Sequence, residues 1–393
     1  MSAVADPGSG SPLHRALQLS EEALCLSNPN PRVGCVIVSP DGRVIGEGHT
    51  QAAGGPHAEV MALRMAQREG HDTRGATAYV TLEPCSHHGR TPPCCDALIA
   101  AGIARVVVAS LDPNPRVAGR GIERLRIAGV AVDRLDHDDP LAQAVRELNI
   151  GFFSRMLRGR PWVRLKAAIS LDGRTALASG ESQWITGEAA RLDGHAWRAR
   201  ACAVLTGVGT VRDDNPRLDA RLPGLMRQPH LVVVDSRLET PATARLFEPA
   251  HGGLPRQRWI YHALPDGTPK AEPLAGLATL VACPGERQKV DLQTMMEDLG
   301  RREVNELHVE AGHKLNGSLL AADLVDEWLV YCAPVLLGDA AIGLSAWRGP
   351  TTLAAAPRLR WLDVVPLGVD VRLRARDPAR TAFLNNLRRP TPP

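Results

Sequence analysis

A chain of 393 residues exceeds one ordinary domain and can bury two separate cores. Its 44% hydrophobic and 23% charged residues are the composition of a globular protein, and a net charge of only +3 argues against a strongly basic nucleic-acid-binding surface. No apolar run reaches the roughly 18 residues of a membrane span, and the first residues lack the basic and apolar regions of a signal peptide. A small-molecule substrate, no nucleic-acid or membrane partner, and a cytoplasmic location are therefore the expectations.

Residues 1–12 are rich in Gly, Ser and Pro and read as disordered. A helix follows over Leu13–Leu26, with Leu13, Ala16, Leu17 and Leu24 on one side. Strands are expected at Gly34–Val38 and Val44–Gly48 around the turn Pro40-Asp41-Gly42. Next come a helix from His57 to Glu69, a strand at Ala78–Leu82, a helix over Cys94–Ala101 stopped by Gly102, and a strand at Arg105–Ala109. A further helix and strand fill Gly119–Val132, so a layered α/β domain spans 13–150. The basic, proline-terminated segment 151–161 reads as a linker.

Beyond it the alternation restarts. Strands are expected at Trp162–Ala168, Ala203–Thr206, Leu231–Asp235, Arg258–Tyr261, Glu306–Val309 and Trp328–Cys332. Helices are expected at Gly187–Arg200, Leu292–Arg301 and Gly317–Ala322, with long surface loops through the Pro- and Gly-rich stretch Thr240–Gly285. This second domain spans 162–375, followed by a tail over 376–393.

Of eight cysteines, Cys25, Cys35, Cys202, Cys283 and Cys332 stand singly in apolar surroundings and read as small core residues. Cys85 and Cys94 differ, because His57-Ala58-Glu59 precedes them in an order that suits a metal. A catalytic zinc takes three nitrogen or sulfur ligands and keeps one position open, which His57, Cys85 and Cys94 would supply. Glu59, two residues past the histidine on the first helical turn, would lean over the water as a proton carrier rather than bind the metal. Cys95 competes with Cys94, but adjacent helix residues point about 100° apart, so only one can face the metal. A non-catalytic zinc module is the rival; it would want a fourth protein ligand where Glu59 stands beside an open position. The generic deaminase signature spaces its cysteines P-C-x-x-C, whereas eight residues, Ser86–Pro93, separate them here. That basic, proline-stiffened loop suits a phosphorylated substrate, with His87 and His88 as substrate-loop residues. Asn30, in the rigid Asn28–Gly34 turn, is placed to read the edge of a ring, although a plain Asn-Pro turn would need the same residues.

In the second half, Gly207-Val208-Gly209 ends a strand with glycines that let backbone approach a ligand, a weak signal by itself. Glu310–Ser318 follows a strand and precedes a helix, so its amides can cradle a pyrophosphate. Ser236 and Arg237 also close a strand, where they would meet the 2′-phosphate that separates NADPH from NADH; a surface turn would need no more. No G-x-G-x-x-G opens a βαβ unit, so this is not a standard dinucleotide fingerprint.

The segments N-P-N-P-R-V-G, H-A-E and T-L-E-P-C-S-H-H-G-R-T-P-P-C resemble the deaminase half of the bifunctional riboflavin-biosynthesis deaminase/reductase family. L-K-A-A-I-S-L-D-G-R, G-E-S-Q-W-I-T-G, G-V-G-T-V-R-D-D-N-P-R-L and V-E-A-G followed by L-N-G-S-L-L resemble its reductase half. The resemblance implies a cytidine-deaminase-like three-layer domain followed by a dihydrofolate-reductase-like α/β domain, with one Zn2+ and NADPH as cofactors. It implies hydrolytic deamination of 2,5-diamino-6-(5-phosphoribosylamino)pyrimidin-4-one, then reduction of the ribosyl group to ribityl. Ser182, Arg198, Leu218, Arg221 and Glu310 would contact the phosphorylated pyrimidine. Ala168, Trp184, Thr210, Asp214, Ser236 and the run Gly312, His313, Lys314, Leu315, Asn316, Gly317, Ser318 would hold NADPH. Asn215 stands where the family often repeats Asp, which puts the role of Asp214 in question. A homo-oligomer built through the reductase domain is expected. The alternatives are a single-activity nucleoside or tRNA deaminase carrying a non-catalytic scaffold domain, and a chain in which one domain has lost its activity.

Overall fold

The computed structural model describes residues 10–87 and 92–388. Residues 1–9 of the expected disordered start, and His88 to Thr91 of the inter-cysteine loop, lie outside the described residues. The chain divides into two compact units, the first ending at Arg158 and regaining the chain from Phe383, the second running from Gly159 to Ala382.

The first unit is built from α1 (Pro12–Glu22), β1 (Gly34–Val38), β2 (Val44–His49), α2 (Ala58–Arg68), β3 (Thr77–Leu82), α3 (Cys94–Ala100), β4 (Arg105–Ser110), α4 (Arg120–Ile127), β5 (Ala131–Arg134), α5 (Pro140–Leu148) and α6 (Ile150–Arg158). Ser11 caps α1 by accepting from the His14 amide, so ordered structure begins inside the segment expected to be disordered. The strands order as β2-β1-β3-β4-β5, antiparallel through β3 and parallel from β3 to β5. Alternation along β1 sends Val36 to one face, with Leu13, Ala16, Leu19 and Val145 of α1 and α5. Cys35 and Ile37 point to the other face, with Ala58, Ala62, Leu98 and Leu125 of α2, α3 and α4. Three layers result. Helix α2 lies so close on β2 that a Cβ at Gly48 would stand 2.6 Å from the Ala58 carbonyl oxygen, which fixes the helix carrying Glu59.

The structure departs from the expected linker and tail. Segment 151–161 is mostly α6, whose Ile150, Phe152 and Phe153 are buried. The expected tail completes a strand to Arg376 and then forms the 3-10 segment Pro378–Arg388. Its Phe383, Leu384 and Leu387 pack with Phe152, Phe153, Met156 and Leu157 in the first unit's core, and Arg158 lies 4.5 Å over the Phe383 ring.

The second unit contains β6 (Trp162–Ser170), β7 (Arg174–Ala176), α7 (Glu188–Arg200), β8 (Ala203–Gly207), α8 (Val208–Asp214), β9 (His230–Val234), β10 (Arg258–His262), β11 (Thr279–Ala282), α9 (Leu292–Arg301), β12 (Glu306–Val309), α10 (His313–Ala321), β13 (Glu327–Ala333), β14 (Ile342–Gly343), β15 (Arg360–Leu367) and β16 (Asp370–Arg376). A 9-stranded sheet orders them β11-β10-β9-β8-β12-β6-β13-β16-β15, parallel from β11 to β13 and closed by the antiparallel β16–β15 pair. The stretch Thr240–Gly285, expected as loops around one strand, also supplies the edge strand β11. Among the described residues no helix is long and apolar enough to cross a membrane.

Beneath α7 lies a buried lattice of charge. Arg164, 0% exposed, binds Glu306 at 2.8 Å and Glu327 at 2.9 Å, while Arg200 and Arg374 reach the same two carboxylates. Trp197 fills the space between, with Arg164 4.5 Å and Arg374 4.9 Å from its ring. Burial opposes ionisation of Glu327, yet Arg164 and Arg374 hold its carboxyl down at about 2. Glu327→Gln strands those two guanidinium groups and is expected to destabilise the second unit by about 3–5 kcal/mol at neutral pH. Because the folded value lies below the ordinary 4.5, this stabilisation is complete above that pH and fades as pH falls toward 2. Urea melts at pH 7 and pH 3 check both the size and the narrowing gap between the two proteins.

Candidate active sites

The metal-ligand triad sits where three element ends meet. His57 is the N-cap of α2, Cys85 follows β3, and Cys94 is the first residue of α3. His57 Nδ1 lies 3.2 Å from Cys94 Sγ and 3.6 Å from Cys85 Sγ, and the three ligand atoms are all within 4.8 Å of one another. A tetrahedral ion with bonds of about 2.0–2.1 Å to nitrogen and 2.3 Å to sulfur needs N···S separations of roughly 3.5 Å, so the group fits zinc. The Cys94 amide donates to Cys85 Sγ at 3.3 Å, which puts that sulfur at the start of α3. Hydrogen bonding from Cys94, set against burial and aided by His57, pulls the Cys85 thiol down to about 4, and the same bond pushes Cys94 up. Cys95 turns away, its thiol directed at the carbonyls of Pro84 and Gly121. Of the five other thiols, Cys35, Cys202 and Cys283 are buried as expected, whereas Cys25 and Cys332 are half-buried.

Glu59 is 3% exposed on the first turn of α2. Burial first, and then the Cys85 thiolate, pushes its carboxyl up to about 7, and a bound dication would draw it back. Asn30 is half-buried in a turn closed by its amide on the Ser27 carbonyl at 2.8 Å. The next residues are clamped by Asn149, which accepts from the Arg32 amide at 2.7 Å and donates to its carbonyl at 2.9 Å. His87 is half-buried just past Cys85.

One carboxylate in this unit escaped the sequence reading. Glu83, buried ahead of Cys85, accepts the amides of Asp112, Gly119, Gly121 and Ile122, folding that segment against Pro84 and Cys85. Its signal was an acid set between a strand and the Pro-Cys pair.

In the second unit a cavity of about 1360 Å³ opens at the C-terminal ends of the parallel strands, where open α/β sheets bind ligands. Ser182, Arg198, Leu218, Arg221 and Glu310 all line it. Arg198, on α7, forks onto Glu310, with Nη2 2.9 Å from Oε2 and Nε bonded to Oε1, and its Nη1 donates to the Asp219 carbonyl at 3.1 Å. Leu218 holds a left-handed backbone, φ 51, while buried at the cavity wall. Lys166 reaches Glu310 at 3.6 Å, and although burial opposes it, Arg198 and Lys166 hold that carboxyl well below the ordinary range. Lys166 and His195 were missed as site residues. A lysine two residues past Arg164 in a mostly apolar strand, and a histidine three residues before Arg198 on one helix, were the available signals. Burial, then Arg198 and Arg221, pushes His195 down to about 4, so its neutral Nδ1 accepts from the Arg221 amide at 3.3 Å.

Ala168, Trp184, Thr210, Asp214 and Ser236 line the same cavity, as do Gly312, His313, Lys314, Leu315, Asn316 and Ser318. Two expectations need correction. The expected loop Gly312–Ser318 is the N-cap and first two turns of α10, so the helix begins at His313 rather than Gly317. Gly317 does not line the cavity: a Cβ there would stand 2.9 Å from the backbone of Ala346 and Trp347, so it serves close packing. Asn215, which raised the question about Asp214, caps α8 in the left-handed conformation, φ 42, that Asn tolerates well. Asp214 itself accepts from Ser182 Oγ at 3.4 Å.

Comparison with known proteins matches both halves. The family model "Cytidine and deoxycytidylate deaminase zinc-binding region" matches residues 11–110, and "RibD C-terminal domain" matches 161–373. The riboflavin biosynthesis protein RibD of Escherichia coli is 46% identical over 371 residues, covering 91% of this chain and 96% of that protein. This chain belongs to the RibD family. The Haemophilus influenzae RibD is 42% identical over 92% of this chain and 95% of its own length. Among solved structures, an Acinetobacter baumannii RibD superposes with a TM-score of 0.82 at 40% identity, covering 93% of this chain and 97% of that one. A Thermotoga maritima diaminohydroxyphosphoribosylaminopyrimidine deaminase/5-amino-6-(5-phosphoribosylamino)uracil reductase gives 0.81 at 32% identity over the same shares. The chain is therefore a bifunctional enzyme of riboflavin biosynthesis, a zinc-dependent deaminase joined to a reductase that uses a nicotinamide cofactor, and the single-activity alternative is not favoured.

Proposed function

We propose that the first unit deaminates 2,5-diamino-6-(5-phosphoribosylamino)pyrimidin-4-one and that the second reduces the product's ribosyl group with NADPH. The observation that carries the first step is the convergence of His57, Cys85 and Cys94 beside the buried carboxylate of Glu59. Zinc, when bound by those three residues, supplies Lewis-acid activation of water. Glu59 takes the protons of that water and passes one to the ring nitrogen and one to the departing amine, so C2 keeps the water's oxygen as a carbonyl and its amino group leaves as ammonia. Asn30 and His87 bind the substrate.

For the second step the support is the cavity at the strand ends, which gathers the cations Arg198 and Arg221 with the carboxylate of Glu310. In this reading Ser182, Arg198 and Arg221 hold the substrate phosphate, Leu218 packs on it, and Glu310, steadied by Arg198 and Lys166, meets the ribosyl hydroxyls. The nicotinamide cofactor, when bound, would supply the hydride that reduces C1′ of the opened ribosyl group, giving the ribityl chain. Ala168, Trp184, Thr210, Asp214 and the start of α10 bind it, and Ser236 with Arg237 receives the 2′-phosphate. We take the enzyme to be cytoplasmic and its copies to associate through the reductase unit, whose edge strand β15 exposes Trp361 and Val364.

A coupled assay on the diaminopyrimidine phosphate, following ammonia and NADPH separately, tests both steps. Ammonia is expected without added cofactor, and NADPH oxidation only after it. Arg237→Ala is expected to raise the KM for NADPH about tenfold and leave that for NADH unchanged. Equal turnover with the two cofactors in the unsubstituted enzyme would overturn the NADPH assignment.

A further inference from the structure

A second cation faces the cofactor cavity beside Ser236, on a loop that neither the family motifs nor the reading above uses. After β11 the chain makes a tight excursion over 284–290. Pro284 and Val290 bridge, the Gly285 amide donates to the Lys289 carbonyl at 2.7 Å, and the Lys289 amide donates to that of Glu286 at 3.0 Å. At its tip Arg287 and Gln288 both adopt left-handed backbone, φ 52 and 55, which side-chain-bearing residues seldom do. Two such residues in succession persist only where the surroundings hold them, and strain of this kind gathers at ligand-binding positions. The Val290 amide donates to Ser236 Oγ at 3.2 Å, which ties the loop to the end of β9. Lys289 lines the cavity with Ser236 and Arg237.

Two acids close to Ser236 have partners of their own. The Asp235 carboxylate accepts the amide and hydroxyl of Thr240, both at 2.7 Å, and Glu239 pairs with Arg212 at 3.2 Å. Arg237 and Lys289 bring two positive charges to the Ser236 end of the cavity. In sheet order β9 stands two strands from β12, which carries Glu310 at its end, about 10 Å along the sheet. That separation suits a ligand whose reactive ring lies by β12 and whose far phosphate lies by β9.

We propose that Lys289 is a second cationic reader of the adenosine 2′-phosphate, so that the loop 284–290 sets cofactor selectivity together with Ser236 and Arg237. The proposal rests on the NADPH reading above. A lysine serves here as a compact point charge that pairs with a phosphate without fixed geometry.

Calorimetric titration of the full chain with adenosine 2′,5′-bisphosphate and with adenosine 5′-monophosphate tests it without turnover. The unsubstituted protein is expected to bind the bisphosphate more tightly. Lys289→Ala is expected to weaken the bisphosphate about tenfold and leave the monophosphate unchanged, and Lys289→Arg to restore most of the difference. If Lys289→Ala leaves both affinities unchanged, or weakens both alike, Lys289 does not read the 2′-phosphate and the assignment is overturned. If the unsubstituted protein binds the two nucleotides equally, the NADPH reading fails and this assignment falls with it.

Discussion

Glu59→Gln is expected to lower ammonia release by about 10²–10⁴-fold while the protein keeps about one zinc per chain. The substitution keeps the shape and the hydrogen-bonding reach of the side chain and removes only its capacity to take and return a proton. At 3% exposure, burial raises that carboxyl and a bound dication lowers it, so the two act in opposite directions on its hold of the proton. The three atoms that would hold the metal come from His57, Cys85 and Cys94, and the hydrogen bond between Glu59 and Cys94 is one that a glutamine side chain can keep. Metal content by atomic absorption and ammonia by a coupled dehydrogenase assay therefore separate the two roles. Loss of zinc together with activity would make Glu59 a ligand or a structural residue. The reductase reaction, assayed with the deaminated substrate, is expected to be unchanged in the same protein.

The metal group was legible before folding because its chemistry is concentrated in element ends. A histidine capping one helix, a cysteine after a strand and a cysteine opening the next helix are local signals, and the fold brings them within 4.8 Å. Helix geometry also ruled out Cys94 and Cys95 facing the metal together, while which of them does so shows only in the fold, where Cys95 turns to the carbonyls of Pro84 and Gly121. Helix α6 was a different failure, since its spacing was readable: Ile150, Phe153 and Leu157 fall at i, i+3 and i+7, with Phe152 and Met156 beside them. The arginines and the closing Gly-Arg-Pro outweighed that pattern and suggested a linker.

Strand β16 could not have been read locally at all. Its alternating Arg372, Arg374 and Arg376 look like solvated side chains at the domain's end, yet Arg372 and Arg374 point into the lattice around Trp197. They meet Asp193 from α7, Asp363 from β15 and Glu327 from β13. Such partners lie between 9 and 179 residues away in sequence, so only the assembled sheet reveals why three arginines sit in one strand. Gly317 erred in the opposite direction, because a glycine near a nucleotide-like turn was credited to the ligand when it serves helix packing.

Arg198→Ala is expected to lower reductase kcat/KM by about 10²-fold, with deaminase activity intact. Glu310 is held in a two-pronged bond by Arg198 and otherwise meets Lys166 at 3.6 Å and His308 at 3.5 Å. Removing the guanidinium leaves the carboxylate without its main counter-charge in a site where burial already disfavours ionisation. It also removes the donor to the Asp219 carbonyl, in the segment whose Leu218 is held in left-handed backbone and whose Arg221 faces the cavity. Both substrate affinity and turnover should therefore suffer, and KM and kcat are expected to change together. Arg198→Lys retains the charge but not the fork, so it is expected to recover little of the loss. If the lysine variant instead matched the parent enzyme, Arg198 would act only as a distant charge, and the two-pronged hold on Glu310 would be incidental to catalysis. Full activity in the alanine variant would remove Arg198 from the site altogether.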